Sequence, residues 1–315
     1  MTKAFPDFDP LVSLRGIITV LNTPFDASGS VDAAALARNV EYAIGAGVAG
    51  FLVPAMAAEV GRLEPEERRL LVSTTIRAAA GRVPVVGGAS APTRTLRRER
   101  AHELVELGCP CILAALPWSG LDEYLADIED LGNSGVRCVM VQDWDATGQG
   151  APVDAIALAF ERIPAFKSIK VEVVPAGAKY SAILAATGGN LHVCGGWAVG
   201  QMIEGLDRGI HAFMPTGLHA VFSEIFRRYV AGERDSSQAL FESILPVLAF
   251  SNQHIDLSLR FWKRFLWRQG FYPTASVREP LEPFDAIHTR TADLLIEKAL
   301  GLEAMAMARN SQAKA

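Results

Sequence analysis

The sequence predicts an α/β fold, a (β/α)8 TIM barrel with a C-terminal helical extension. Three observations predict it. Eight short apolar runs recur, each bounded by Gly, Pro or polar residues. Stretches of helical periodicity lie between them. The interval between successive run starts lies between 20 and 34 residues, which fits one strand plus one helix. Strands alternating with helices argue for a parallel sheet, and eight such units in about 230 residues argue for a closed barrel. An open doubly wound sheet would more often show G-x-G-x-x-G after its first strand, and none is present.

The elements follow in order. GIITVLN (16–22) is the first run. DAAALARNVEYAIGAG comes next and places Leu36, Val40 and Ile44 four apart, on one helical face. GFLVPA (50–55) is the second run. EPEERRLLVSTTIRAAAG opens on Glu64 and Pro65, an acidic residue and a proline suited to a first turn, and stops at Gly81. PVVGGAS (84–90), CILAALP (111–117), RCVMVQD (137–143), KSIKVEV (167–173), LHVCGGW (191–197) and HAFMPT (211–216) supply the third to eighth strands. Beyond residue 218, helical stretches near 219–231, 236–250, 255–269 and 284–308 exceed one closing helix. The expected organisation is a barrel over 1–231 and a helical extension over 232–315, packed on it as a single structural unit.

Composition narrows the function. The 315 residues are 50% apolar and carry a formal charge of −5, so nothing favours nucleic acid or an anionic membrane as partner. No apolar run reaches the roughly 18 residues of a membrane span. MTKAFPDFDPLVSLRG has no apolar h-region and no small-residue cleavage site, which points to the cytoplasm. Cys109, Cys111, Cys138 and Cys194 form no C-x-x-C pair and read as structural thiols. There is no H-E-x-x-H and no His/Asp cluster at the strand ends, so neither a metal nor a cofactor is expected.

A barrel of this kind carries its site at the C-terminal ends of the strands. His192 and His211 begin strands seven and eight and belong to the opposite, stabilising face. His102, His219, His254 and His288 fall on helices, and nothing marks them as ligands. The strand ends offer Asn22, Thr23, Glu59, Ser90, Gln142, Asp143, Gly195, Gly196 and Thr216. Trp118, Trp144 and Trp197 fall at the same mouth, where they either plug the barrel or line a pocket. CGGW and MPTGL, which contains Met214, close strands seven and eight. That location can hold phosphate, but no basic residue sits beside those glycines.

Lys170 is the distinctive residue. Parallel barrel strands are covered on both sides, so a lysine in mid-strand has no free route to water. An ordinary lysine is almost wholly protonated near neutral pH, and desolvation frees its lone pair to attack a ketone. The competing reading is a structural ion pair with Glu172, which shares its face of the strand.

At these residues the chain resembles the dihydrodipicolinate synthase/N-acetylneuraminate lyase family of Schiff-base barrels, over about residues 14–281. GIITVLNTPFDASGSVD resembles the family's opening strand, its Thr-Pro-Phe and its Gly-x-(Val/Ile)-Asp. GVAGFLVPAMAAEVGRLEPEER resembles the second strand, its loop glutamate (Glu59) and its Leu-x-x-Glu-Glu-Arg helix start. SIKVE falls where the family places Gly-Ile-Lys-(Glu/Asp), CGGW at its strand-seven glycines, and GFYPTASVREPLEP at its Arg-x-Pro-Leu. The resemblance implies Lys170 as the imine-forming lysine, pyruvate or a longer 2-oxo acid as substrate, and a homo-oligomer, dimer or tetramer. The departures are as informative. The family's two threonine hydroxyls fall on Met56 and Ala57, leaving backbone N–H groups to hold the carboxylate. Its strand-five tyrosine falls near Val141 or Gln142, its arginine on Ala146, and its Pro-Tyr on Pro117-Trp118.

The expected chemistry is an imine on Lys170 that acts as an electron sink for C–C or C–O cleavage. With the tyrosine absent, Glu172 is the nearest acid/base, about 7 Å along the strand, and Asp143 is the second. Met56, Ala57, Gln142, Trp118, Trp144, Gly195 and Met214 are the expected substrate-binding positions. A Schiff-base aldolase or dehydratase leads. Dihydrodipicolinate synthase proper and a ligand-binding barrel without turnover remain as alternatives.

Overall fold

In the computed structural model, which describes residues 11–314 apart from 146–147 and 197–198, the chain forms a closed parallel barrel of strands β1 to β8 in sequence order. The strands are β1 Gly16–Val20, β2 Gly50–Val53, β3 Val85–Gly88, β4 Cys111–Ala115, β5 Cys138–Asp145, β6 Phe166–Val173, β7 His192–Gly195 and β8 Ala212–Phe213. All eight apolar runs became strands. Between them run helices α1 Ala33–Gly45, α2 Pro65–Ala79, α3 Arg94–Glu106, α4 Leu121–Gly132, α5 Val153–Arg162, α6 Gly177–Ala186 and α7 Met202–Asp207. After β8 come α8 His219–Val230, α9 Arg234–Ser251, α10 Ile255–Arg268 and α11 Ala286–Lys314.

Local chemistry sets the helix starts. Asp32 caps α1 by accepting from the N–H of Ala35 at 2.9 Å. At α2, the Glu67 carboxylate reaches back to the N–H of Glu64 at 2.9 Å, with Pro65 in the first turn. The stop of α2 differs slightly from the expectation. Ala80 already takes the left-handed conformation, one residue before Gly81.

Strand parity sorts the barrel into two layers. Ile18, Leu52, Leu113, Met140, Cys194 and Met214 point into the lumen and form one apolar cluster. Ile17, Phe51, Ile112, Val139, Ile169 and Phe213 point outward and pack with the helices. At the N-terminal end His192 and His211 stack at 5.2 Å. The His192 ring meets the Ser168 hydroxyl at 2.9 Å and the Leu14 carbonyl at 2.8 Å, closing the barrel floor. Burial lowers the pKa of His192 to about 3 and of His211 to about 4. The four cysteines are free and buried.

The C-terminal helices are tied to the barrel by buried charge. Glu303 on α11 accepts from the N–H groups of Ala220 and Val221 at 2.9 and 3.1 Å, capping α8. Lys263 on α10, wholly buried, pairs with Glu59, donates to the Ser276 carbonyl at 2.8 Å and lies 3.9 Å from the centre of the Phe25 ring. Among the described residues no helix is long and apolar enough to cross a membrane.

Candidate active site

Strand β6 builds the centre of the site. Its lumen face carries Ser168, Lys170 and Glu172, because side chains two apart share a face. Lys170 Nζ lies 2.9 Å from Glu172 Oε1, and both side chains are 7% exposed. On the neighbouring strand Gln142 is in register with Lys170, and its amide donates to the other oxygen of Glu172. The glutamate is therefore held between an ammonium and an amide. Gly196, just past β7, leaves the room this needs, since a Cβ there would overlap the Glu172 side chain.

These groups form the floor of a pocket with about 820 Å³ of free space, open to solvent. A 3₁₀ turn at Met56–Ala58 forms one edge. It is fixed from below, where the Asn22 amide donates to the Ala57 carbonyl at 2.7 Å and the Thr23 hydroxyl to the Ala58 carbonyl at 2.7 Å. Met56 and Ala57 open the turn, so their N–H groups have no carbonyl of that turn to bond. Among the described residues Lys170 is the only lysine in the pocket lining, and no arginine is there. Trp144, 44% exposed, stands at the rim.

Of the residues expected at the site, Lys170, Glu172, Gln142, Met56, Ala57, Trp144 and Met214 all line this pocket. Three do not. Asp143 has the opposite parity to Gln142 and faces out of the lumen. It pairs with Lys179 at 2.5 Å and accepts from the N–H of Ala151 at 2.8 Å, so it organises the loop after β5. Burial raises its pKa and Lys179 partly offsets this, but it sits behind the strand. Gly195 also faces outward, where a Cβ would meet Phe213 and Tyr180. Trp118 lies beyond the end of β4 and packs edge-on against Tyr124, centroids 5.7 Å apart. Trp197 and Ala146 lie outside the described residues.

The pocket also holds residues that were not expected. Its far wall comes from the C-terminal helices, with Phe222 on α8, Leu248 on α9, Asn252 and His254 between α9 and α10, and Ser258 and Trp262 on α10. His254 was read as an unremarkable helical histidine. It is instead the N-cap of α10, at the pocket edge. The break SNQH between two helical stretches was the available signal, but nothing in it tells which barrel end the break approaches.

The profile of the Dihydrodipicolinate synthetase family matches residues 13–299, nearly the whole chain. The chain belongs to this family. Among curated family relatives, an L-2-keto-3-deoxyarabonate dehydratase of Azospirillum brasilense is 24% identical over 310 residues, covering 93% of this chain and 96% of the relative. A 4-hydroxy-tetrahydrodipicolinate synthase of Xanthomonas campestris pv. campestris is 27% identical over 305 residues, covering 93% and 97%. The solved dihydrodipicolinate synthase of Rhodopseudomonas palustris superposes with a TM-score of 0.84 at 19% identity, covering 91% of this chain and 98% of that one. That of Thermotoga maritima also gives 0.84 at 19%, covering 92% and 99%. The structural likeness carries the (β/α)8 fold, and members of the family are lyases.

Proposed function

We propose that this protein is a class I lyase, an aldolase or dehydratase acting on pyruvate or a longer 2-oxo acid through an imine on Lys170. The carrying observation is the buried Lys170–Glu172 contact of 2.9 Å at the floor of the pocket. A carboxylate that close can take a proton from the ammonium and leave a neutral amine. The amine attacks the ketone carbon, and the protonated Glu172 returns its proton to the departing oxygen as water leaves. The product is an iminium beside a carboxylate. Glu172 then accepts a proton from the carbon next to the iminium carbon, and the electron pair moves into the iminium. In the dehydratase branch the hydroxyl on the next carbon along then leaves as the pair returns, taking the proton from Glu172 to depart as water. In the aldolase branch Glu172 instead takes the proton of that hydroxyl, the bond between the two carbons breaks with its pair moving into the iminium, and the aldehyde leaves. Gln142 holds Glu172 in line for both transfers. The N–H groups of Met56 and Ala57 are the carboxylate grip.

Met56 and Ala57 in place of two hydroxyls, and no tyrosine at Val141 or Gln142, argue against dihydrodipicolinate synthase proper. The dehydratase from Azospirillum brasilense among the relatives supports the C–O branch. Family membership supports a homo-oligomer, dimer or tetramer. Borohydride reduction in the presence of pyruvate, read by intact mass, is the test. One reduced pyruvate should be added to the protein and none to Lys170→Ala. No adduct with any of several 2-oxo acids would overturn the reading, and an adduct persisting in Lys170→Ala would move the nucleophile.

A further inference from the structure

The floor of the pocket is furnished for a 2-oxo acid group and nothing more. On the imine reading, Lys170, Glu172 and Gln142 meet the ketone, and the turn at Met56 meets the carboxylate. The lining continues past these groups to residues of the C-terminal helices. What remains is the far wall at the α9–α10 junction. There, polar groups interrupt an apolar surface of Phe222, Leu248 and Trp262.

Three groups at that junction can bind a ligand oxygen. The His254 ring spends Nδ1 on the N–H of Asp256, at 3.3 Å. A ring that accepts through Nδ1 carries its proton on Nε2 when neutral, so Nε2 is a donor. Asn252 accepts from the Ser251 hydroxyl through Oδ1 at 3.3 Å, and its NH₂ has no partner among the described residues. The Ser258 hydroxyl likewise has none. Donors facing an otherwise apolar pocket reward a ligand that brings an oxygen to them.

We propose that the α9–α10 junction determines specificity. Asn252, His254 and Ser258 read the end of the substrate remote from the ketone, and the substrate is a 2-oxo acid longer than pyruvate with a hydroxyl or carbonyl oxygen at that end. The near-end identity rests on the imine reading of Lys170; the far-end recognition does not. The test uses two ligand series. In the first, half-saturating concentrations for borohydride trapping are compared for pyruvate, 2-oxohexanoate and 6-hydroxy-2-oxohexanoate. In the second, calorimetry gives Kd for 2-hydroxyhexanoate and 2,6-dihydroxyhexanoate, which have no ketone and form no imine. The terminal hydroxyl should improve binding about tenfold in each series, the worth of one well-made hydrogen bond. Asn252→Ala with Ser258→Ala should erase that gain while leaving pyruvate trapping within about twofold, since both side chains belong to the far wall at the α9–α10 junction. A gain absent from both series in the natural protein, or one surviving in the double variant, overturns the proposal. If no acid gives an adduct, Lys170 is not the nucleophile, and the ketone-free series still decides the junction.

Discussion

Glu172 bears the most weight of any residue, because the proposed chemistry asks it to carry every proton. Glu172→Gln tests this with little change of shape. The amide still reaches Lys170 and Gln142 but cannot shuttle a proton. Imine formation should slow by about 10²–10⁴-fold, measured by quenching with borohydride at timed intervals. A rate within threefold of the natural protein would place the acid/base elsewhere. Gly196→Ala approaches the same group from outside. Its Cβ would overlap the Glu172 side chain and push it off Lys170, so trapping should slow although no reacting group has changed. A Gly196→Ala protein that traps normally would show that the position of Glu172 is not critical. Residue parity also explains which site expectations held in space. Lys170, Glu172, Gln142 and Trp144 share the lumen phase of two adjacent strands, and Asp143 and Gly195 fall on the other phase. That phase was legible in the sequence once Lys170 was placed inward. Trp118 lies past its strand, where parity no longer applies.

At the scale of elements, the barrel strands were legible because both their faces are buried, so each reads as a nearly continuous apolar run. The far wall of the pocket was not. Its position depends on how α10 lies across the barrel mouth, a long-range matter that no local pattern encodes. The pin that sets it is the Lys263–Glu59 pair, joining α10 to the loop after β2. Burial lowers the pKa of Lys263 to about 8 despite that partner, so the charge is held at a cost. Removing one partner should be worse than removing both. Lys263→Met leaves the Glu59 carboxylate buried with only the N–H of Arg278 and the charge of its guanidinium nearby, and should destabilise the fold by about 3–5 kcal/mol. Adding Glu59→Gln should recover part of that loss. Denaturant midpoints measure both, and equal loss in the single and double variants would deny the coupling.

The whole molecule should be sensitive to acid through its buried histidines. His219 lies between the Thr19 hydroxyl at 3.2 Å and the Asn39 side-chain oxygen at 3.1 Å, joining α8, β1 and α1. Burial lowers its pKa to about 4, from an ordinary value near 6.5. His192 and His211 are lowered for the same first cause. A lowered folded pKa means the unfolded chain binds the proton first. Stability from these groups is therefore complete above about pH 6.5 and drains away as pH falls toward 4, by about 1.4 kcal/mol per unit of separation for each group. Asp143 and Glu303 work in the opposite sense, since burial raises their carboxyl pKa values and acid favours the folded form there. The net slope mixes both signs, so the informative quantity is a difference. His219→Gln keeps a polar side chain between Thr19 and Asn39 but cannot titrate. Its melting temperature should sit below that of the natural protein at pH 7.5 and converge on it at pH 4.5. Parallel curves across that range would mean that His219 takes up its proton as readily folded as unfolded. The acid loss would then have to come from the stacked pair at the barrel floor.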